Sequence, residues 1–270
     1  MTGRKIDSLL NAMWEDYLTL NPDARKIHDL FAGLNDGVVI NDHIALRTFN
    51  NDKVGLDRIA RPFLEAGYQP KGDYRFDTKK LTARHFEHSD PELPKVFISE
   101  LRVEELSEEA RVTINGLVDQ VDVRDLDKDV FCYSGRHWDI SFTTYSQLLN
   151  ESEYAAWVSA FGYRPNHFTV SVNHLQSHDN LETLNQLLLD EGFSLNDSGG
   201  LIKGSPDVFL EQSSTMANRV AVDFSDRTVE IPGCFYEFAL RYPLPDGTLY
   251  QGFVAASADR IFESTNVAGR

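Results

Sequence analysis

The chain is poor in cysteine and in positive charge, and it lacks a long apolar run. Cys132 and Cys234 are its two cysteines, and they match neither the disulfide framework of a small secreted domain nor a metal-ligand spacing. The N-terminus has no signal-peptide core, and no segment reaches the ~20 apolar residues of a membrane-spanning helix. These absences favour a cytoplasmic protein that does not bind a membrane.

Positive charge is scarce, with 26 Lys and Arg residues against 42 Asp and Glu residues and a net charge of -16. Nucleic-acid binding requires clustered cations, so no nucleic-acid partner is expected. A small anionic ligand would be repelled by the bulk charge, and local arginines would have to attract it. No glycine-rich phosphate loop, nucleophile elbow or Ser-His-Asp spacing occurs, which argues against nucleotide and hydrolase-triad chemistry.

The sequence contains an internal repeat built on two histidine-bearing strands. In the predicted strand 41–49, His43 and Arg47 share one face because side chains alternate along extended chain. The predicted strand 166–174 places His167 and Asn173 on one face in the same way. An apolar helical stripe and then a glycine follow each strand, 24 positions after His43 (67 − 43) and 25 after His167 (192 − 167).

This repeat predicts an α+β fold in which two βαβββ modules form a cupped sheet around a shared cavity. The chain is then a single domain over 1–270. Its predicted parts are N-terminal helices at 1–40, a first module at 41–105, a helical connector at 106–164, a second module at 165–245 and a C-terminal tail at 246–270.

Two histidines at equivalent positions of a repeat are candidate ligands for a divalent metal, because neutral imidazole suits zinc, copper, nickel and iron. A carboxylate should complete the set, and Glu237 and Glu100 both lie in strand-like sequence of the right kind. Each could instead pair with an arginine of its own strand, Arg241 or Arg102 respectively. From the residues alone, Glu237 and Glu100 are nearly equal candidates for the carboxylate ligand. Glu237 is slightly preferred because its neighbours are apolar.

Arg47 lies four residues beyond His43, so the two Cα atoms are about 13 Å apart at ~3.3 Å per residue. A small acid chelating a metal at His43 could place a second carboxylate against this guanidinium. A structural salt bridge at the sheet rim explains Arg47 equally well. His85 and His88 fall on opposite strand faces, and one of them could touch a substrate, although an exposed strand end is the favoured position. His174 is predicted to pack.

Three segments resemble the site segments of a known family. They are Asn-Asp-His-Ile-Ala-Leu-Arg-Thr-Phe at 41–49, Asn-His-Phe-Thr-Val at 166–170 and Phe-Tyr-Glu-Phe-Ala at 235–239. They are similar to those of the 2-oxoadipate dioxygenase/decarboxylase family, also called hydroxyglutarate synthase, within the vicinal oxygen chelate superfamily. The resemblance implies a glyoxalase-dioxygenase-like fold of paired modules.

This resemblance also implies the chemistry. His43, His167 and Glu237 would hold Fe(II), which selects Glu237 over Glu100, and Arg47 would bind the substrate carboxylate. The implied reaction converts 2-oxoadipate, or another 2-oxo dicarboxylic acid, and dioxygen to 2-hydroxyglutarate and carbon dioxide. Two alternatives are a glyoxalase-like lyase or isomerase with zinc or nickel as a Lewis acid, favoured if Glu100 also joins the site, and a non-catalytic binding protein for small acids.

Overall fold

The computed structural model describes residues 5–265, and a curled eight-stranded sheet organises them. The strands of the molecule are Asn41–Phe49 (β1), Gln69–Phe76 (β2), Leu81–Glu87 (β3), Lys95–Leu101 (β4), Pro165–Ser171 (β5), Lys203–Ser205 (β6), Leu210–Ser214 (β7), Arg219–Asp223 (β8), Thr228–Pro232 (β9) and Phe235–Arg241 (β10). The order in the large sheet is β2-β3-β4-β1-β5-β10-β7-β6.

The strand order shows two halves of the same design joined at their first strands. β1 pairs in parallel with β4, and β5 pairs in parallel with β10. β1 and β5 run antiparallel to each other at the centre of the sheet. The predicted α+β fold with a curled sheet is therefore confirmed.

Helices flank and connect these halves. They are Lys5–Leu20 (α1), Pro22–Leu34 (α2), Leu56–Glu65 (α3), Glu108–Asp119 (α4), Phe142–Glu151 (α5), Glu153–Phe161 (α6), Leu181–Asp190 (α7) and Ala255–Ile261 (α8). Asn21 caps α2 by accepting a hydrogen bond from the backbone N–H of Ala24. Gly67 and Gly192, which end the equivalent helices α3 and α7, adopt φ values of 103° and 85° that favour glycine.

One face of the central strands packs against the N-terminal helices. Tyr17 of α1 lies 5.0 Å, between ring centroids, from Phe168 of β5, and its hydroxyl donates a hydrogen bond to the carbonyl of Phe235. Ile44 and Leu46 of β1 point away from the histidine face and are buried. The apolar positions of the central strands thus form the core, which leaves their alternate positions to line a cavity.

The second half differs from its predicted pattern in two places. β8 and β9 form a separate two-stranded sheet inserted between β7 and β10. The predicted strand 166–174 ends at Ser171, and a 3₁₀ turn follows at Val172–His174. The predictions that Asn173 points inward and that His174 packs in the core are therefore wrong. Both side chains are exposed beyond the strand end, and Asn173 donates a hydrogen bond to the Arg241 carbonyl.

The chain after β10 returns across the open side of the curled sheet. Within it, α8 contacts β2 near one edge of the sheet and both β6 and β7 near the other edge. A 3₁₀ helix at Phe262–Thr265 follows α8. We name residues 250–265 the closing segment. Among residues 5–265, no helix combines the length and apolarity needed to cross a bilayer.

Candidate metal and substrate site

Three side chains from adjacent strands converge on one point of the concave sheet face. His43 of β1, His167 of β5 and Glu237 of β10 each offer a ligand atom, and the three atoms lie within 4.8 Å of one another. The Nε2 atom of His43 is 3.6 Å from Glu237 Oε1, and Nε2 of His167 is 3.2 Å from Glu237 Oε2. All three residues are at most 5% exposed.

The residue preceding each histidine fixes its imidazole. Asp42 Oδ1 lies 2.8 Å from His43 Nδ1, and Asn166 Oδ1 lies 3.1 Å from His167 Nδ1. Burial raises the pKa of Asp42, but the charge of Arg241 and the hydrogen bonds from His43 and Arg241 hold it well below its usual range. Because an ionised carboxylate only accepts hydrogen bonds, His43 donates through Nδ1–H and its Nε2 keeps a lone pair toward the cavity.

The electrostatics of this convergence favour a bound cation. Burial lowers the pKa of both His43 and His167, so both imidazoles are neutral, as a metal ligand requires. Burial also raises the pKa of Glu237 to about 8. Nε2 of His167 lies 3.2 Å from Glu237 Oε2, and Nε2 of His43, which Thr169 Oγ1 approaches to 3.1 Å, lies 3.6 Å from Glu237 Oε1. Electron-rich atoms this close repel one another when they share no proton. A proton or a metal ion between them would remove this repulsion.

Gln212 orients the carboxylate. Its Nε2 donates a 2.6 Å hydrogen bond to Glu237 Oε1. Glu237 Oε2 is buried and has no hydrogen-bond partner among residues 5–265. A buried carboxylate oxygen without a partner is costly, and coordination to a metal would satisfy it. The donor set, two imidazoles and one carboxylate, fits a divalent transition metal with open coordination positions.

Arg47 lies in the same cavity and is 2% exposed. Its Nε and Nη1 atoms have no hydrogen-bond partner among the described residues, and its Nη2 is 3.5 Å from Thr265 Oγ1. Its guanidinium lies 5.0 Å from the ring centroids of both Tyr154 and Trp157, and 5.4 Å from that of Phe262. Within residues 5–265, Arg47 therefore forms no salt bridge at the rim. It is a buried cation with donors available for an anion.

The cavity is closed on the side opposite the sheet by the closing segment, which contributes Phe253, Ala258, Ile261 and Phe262 to its wall. About 20 Å³ of open space remains, which is room for roughly one water molecule. Binding of a small acid therefore requires part of this wall to shift.

Glu100, the competing carboxylate, lies away from this cavity. Its Oε2 accepts a 2.9 Å hydrogen bond from the backbone N–H of Leu56, the first residue of α3, and its Oε1 accepts a hydrogen bond from Thr82. Its proposed partner Arg102 pairs instead with Glu105 at 2.6 Å. Glu100 thus stabilises a helix N-terminus rather than contributing a ligand.

Arg241 and His85 lie close to the site but do not form it. Arg241 pairs with Asp42 at 2.6 Å, so the predicted alternative of a pair with Glu237 is wrong. The prediction that His85 lies at an exposed strand end is also wrong. It is 3% exposed, hydrogen-bonds Tyr74 and packs 5.3 Å from the ring of Phe253.

Sequence reasoning missed Asp42, Asn166, Gln212 and Phe253. For the first two a signal was present, because each precedes one of the two repeated histidines and carries a side-chain oxygen. Gln212 and Phe253 lie outside the strand-helix-glycine pattern that repeats in the sequence, and the sheet and the closing segment bring them to the site. Their sequence contexts gave no indication of this.

The sequence is similar to proteins of one enzyme family. A sequence model of the 2-oxoadipate dioxygenase/decarboxylase family matches residues 9–126 and 129–248. The chloroplastic 2-oxoadipate dioxygenase/decarboxylase of Arabidopsis thaliana is 36% identical over 290 residues, covering 96% of this chain and 76% of that protein. The corresponding protein of Oryza sativa subsp. japonica is 34% identical, with 96% and 78% covered.

Solved structures share the fold over nearly the whole chain. A Shewanella frigidimarina protein described as a hydrolase is 57% identical with a TM-score of 0.90, covering 95% of this chain and all of that one (100%). The Oryza sativa hydroxyglutarate synthase in complex with 2-oxoadipate is 34% identical with a TM-score of 0.89, covering 96% and 91%. A glyoxalase superfamily protein from Ralstonia eutropha has a TM-score of 0.72 at 26% identity, with 92% and 85% covered.

Proposed function

The chain belongs to the 2-oxoadipate dioxygenase/decarboxylase family of enzymes, and from this membership we propose that it converts a 2-oxo dicarboxylic acid such as 2-oxoadipate, with dioxygen, to 2-hydroxyglutarate and carbon dioxide. The observation that carries the proposal is the content of one buried cavity. It holds both a His-His-Glu set and a guanidinium that forms no ion pair within residues 5–265. These are the two groups that a chelating 2-oxo acid with a second carboxylate needs.

His43, His167 and Glu237 would hold Fe(II) from one side. Fe(II) held there would supply the dioxygen chemistry and could also bind the carboxylate and keto oxygens of a 2-oxo acid. Asp42 and Asn166 keep the Nε2 lone pair of each imidazole directed at the ion, and Gln212 restrains one carboxylate oxygen of Glu237.

Arg47 would bind the remote carboxylate of the substrate. It projects from the same face of β1 as His43, four residues along the strand, so an extended dicarboxylic acid can reach from one to the other. The rings of Tyr154, Trp157 and Phe262 exclude water around the guanidinium, which strengthens its interaction with an anion. A 2-oxo acid without a second carboxylate would leave this cation unpaired.

We include a cytoplasmic location in the proposal. The buried thiols of Cys132 and Cys234 form no disulfide, which suits a reducing compartment. The names of the two plant relatives place those proteins in plastids.

The test combines metal content with turnover. Protein loaded anaerobically with Fe(II) should, on aeration with 2-oxoadipate, consume oxygen and release carbon dioxide and 2-hydroxyglutarate. His43→Ala should lose both the iron and the oxygen uptake, whereas Glu100→Gln should keep both. Absence of oxygen uptake with every 2-oxo dicarboxylic acid tried would refute the proposal. Turnover with zinc or nickel and no oxygen would favour the glyoxalase-like alternative.

A further inference from the structure

One buried guanidinium joins a candidate ligand to the closing segment. Arg241, at the end of β10, is 3% exposed. Its Nε and Nη2 atoms donate hydrogen bonds of 2.6 and 2.8 Å to the two carboxylate oxygens of Asp42. Its Nη1 donates to the backbone carbonyls of Tyr250 and Gly252, at 3.0 and 2.8 Å. Arg241 therefore connects β1 to the start of the closing segment.

Arg241 is connected to His43 in two ways, through Asp42 and through the backbone next to Phe253. Asp42 Oδ1 also accepts the Nδ1–H of His43 at 2.8 Å. Phe253 follows the carbonyls that Arg241 binds, and its ring stands edge-on to His43 at 4.8 Å between centroids and an angle of 90°. The imidazole is thus held at Nδ1 and on its ring by two groups that Arg241 organises.

The imidazole of His167 is oriented without a buried ion pair. His167 is held at Nδ1 by the neutral amide of Asn166 and stacks on Phe235 at 4.5 Å. A buried ion pair costs desolvation of both partners, and an amide would fix the ring without that cost. The structural difference at His43 is the connection from Asp42 through Arg241 to the closing segment.

We propose that Asp42 and Arg241 are positioning residues that couple closure of the cavity to the orientation of His43. The inference rests on the proposed function, because it takes His43 as a metal ligand. When the closing segment is in place, its carbonyls hold the guanidinium, the guanidinium holds Asp42, and Asp42 holds the imidazole. Disturbing Arg241 therefore weakens metal binding at an ion that Arg241 does not touch, and it loosens the backbone around Tyr250.

The test measures metal binding rather than turnover. Co(II) is titrated into metal-free protein, and its visible absorption reports both affinity and ligand geometry. We expect Arg241→Gln to weaken Co(II) binding about 10–100-fold, the usual effect of removing a partner of a metal ligand. Asp42→Asn should weaken it about 10-fold, at the lower end of that range, because the amide oxygen can still accept from His43 as Asn166 does for His167.

A second measurement addresses the coupling. Amide hydrogen exchange around residues 250–253 should be faster in Arg241→Gln than in the wild type, because two carbonyls lose their donor. Arg102→Gln is the matched control. Arg102 is also 3% exposed, pairs with a carboxylate at 2.6 Å and donates to a backbone carbonyl, but it lies away from the cavity. It should keep wild-type Co(II) affinity and wild-type exchange at residues 250–253.

Several outcomes would overturn the inference. The inference is overturned if Arg241→Gln folds and keeps the Co(II) affinity of the wild type. It is also overturned if Arg102→Gln loses as much Co(II) affinity as Arg241→Gln. If Arg241→Gln does not fold, Asp42→Asn decides, and unchanged affinity in that variant overturns the inference. Wild-type protein that binds no divalent metal refutes the proposed function itself, so the two failures are distinguishable.

Discussion

Replacing Arg47 by methionine should change stability and substrate binding in different ways. Methionine keeps an unbranched stem of similar length and removes a charged group whose Nε and Nη1 have no hydrogen-bond partner in the described part of the chain. Relief of the desolvation cost, several kcal/mol per ion, is offset by the loss of three ring contacts worth roughly 0.5–2 kcal/mol each. The free energy of unfolding of the substrate-free protein should therefore change by no more than about 2 kcal/mol, less than the ~3–5 kcal/mol lost when a buried ion pair is broken.

The effect on catalysis should be large and should depend on the substrate. A guanidinium that binds a carboxylate through two charged hydrogen bonds contributes ~1.5–3 kcal/mol for each. Their loss lowers kcat/KM for 2-oxoadipate by about 10²–10⁴, at 1.4 kcal/mol per factor of ten. A 2-oxo monoacid of equal chain length lacks the second carboxylate, so its kcat/KM should change little.

The assay is oxygen uptake by Fe(II)-loaded wild type and Arg47→Met with both acids, beside urea unfolding of the metal-free proteins. Arg47→Lys is the control, because it keeps the charge but not the planar pair of donors, and it should lie between the two. An equal loss for both acids, or a destabilisation above about 3 kcal/mol with the preference for the diacid intact, would show that Arg47 is a structural residue.

Four further predictions concern the carboxylates. Gln212→Leu removes the hydrogen bond to Glu237 Oε1 and should weaken Co(II) binding about 10-fold; unchanged binding would contradict the role given to Gln212. Because burial raises the pKa of Glu237 to about 8, metal binding should release a proton, and the affinity for the metal should fall about tenfold per pH unit below that value. Calorimetry in buffers of different ionisation enthalpy measures the proton release and the affinity. An affinity that does not change with pH would refute this prediction. In the metal-free protein the same carboxyl contributes stability that is present below its ordinary pKa and lost as pH rises through about 8. Glu100→Gln should lower stability by ~1 kcal/mol in urea unfolding, because a charge leaves the N-terminus of α3, and a loss of bound metal would revive Glu100 as a ligand.

Local periodicity predicted the position of both strands that carry the histidines, although β5 ends at Ser171, three residues before its predicted end. β1 spans 41–49 as the alternation indicated, and the two helices end at the predicted glycines. Alternation failed at Asp42, which should point away from His43. The pairing of β1 with β5 shifts register between Asn41 and His43, and this irregularity accompanies the turn of Asp42 toward the imidazole. Irregularities of this kind depend on the partner strand and are invisible in a single segment.

The closing segment could not be predicted for a different reason. Its helix spans Ala255–Ile261, only seven residues, too short for periodicity to distinguish it from a loop. Its position depends on contacts with strands distant in sequence and on the hydrogen bonds from Arg241 to Tyr250 and Gly252. Tertiary contacts therefore decide both its structure and its place over the cavity.

The register of the sheet also explains why one carboxylate and not two faces the cavity. On β10, Glu237 lies two residues beyond Phe235, the residue paired with His167. On β4, the equivalent position, two residues beyond the partner of His43, is Phe97. Phe97 lines the cavity, and Glu100, three residues further on, points to the other face. Because a phenyl ring cannot coordinate a metal, the first half of the repeat offers one candidate ligand and the second half offers two. A metal held by these three side chains would therefore keep coordination positions open, which the proposed reaction of a chelating acid with dioxygen requires.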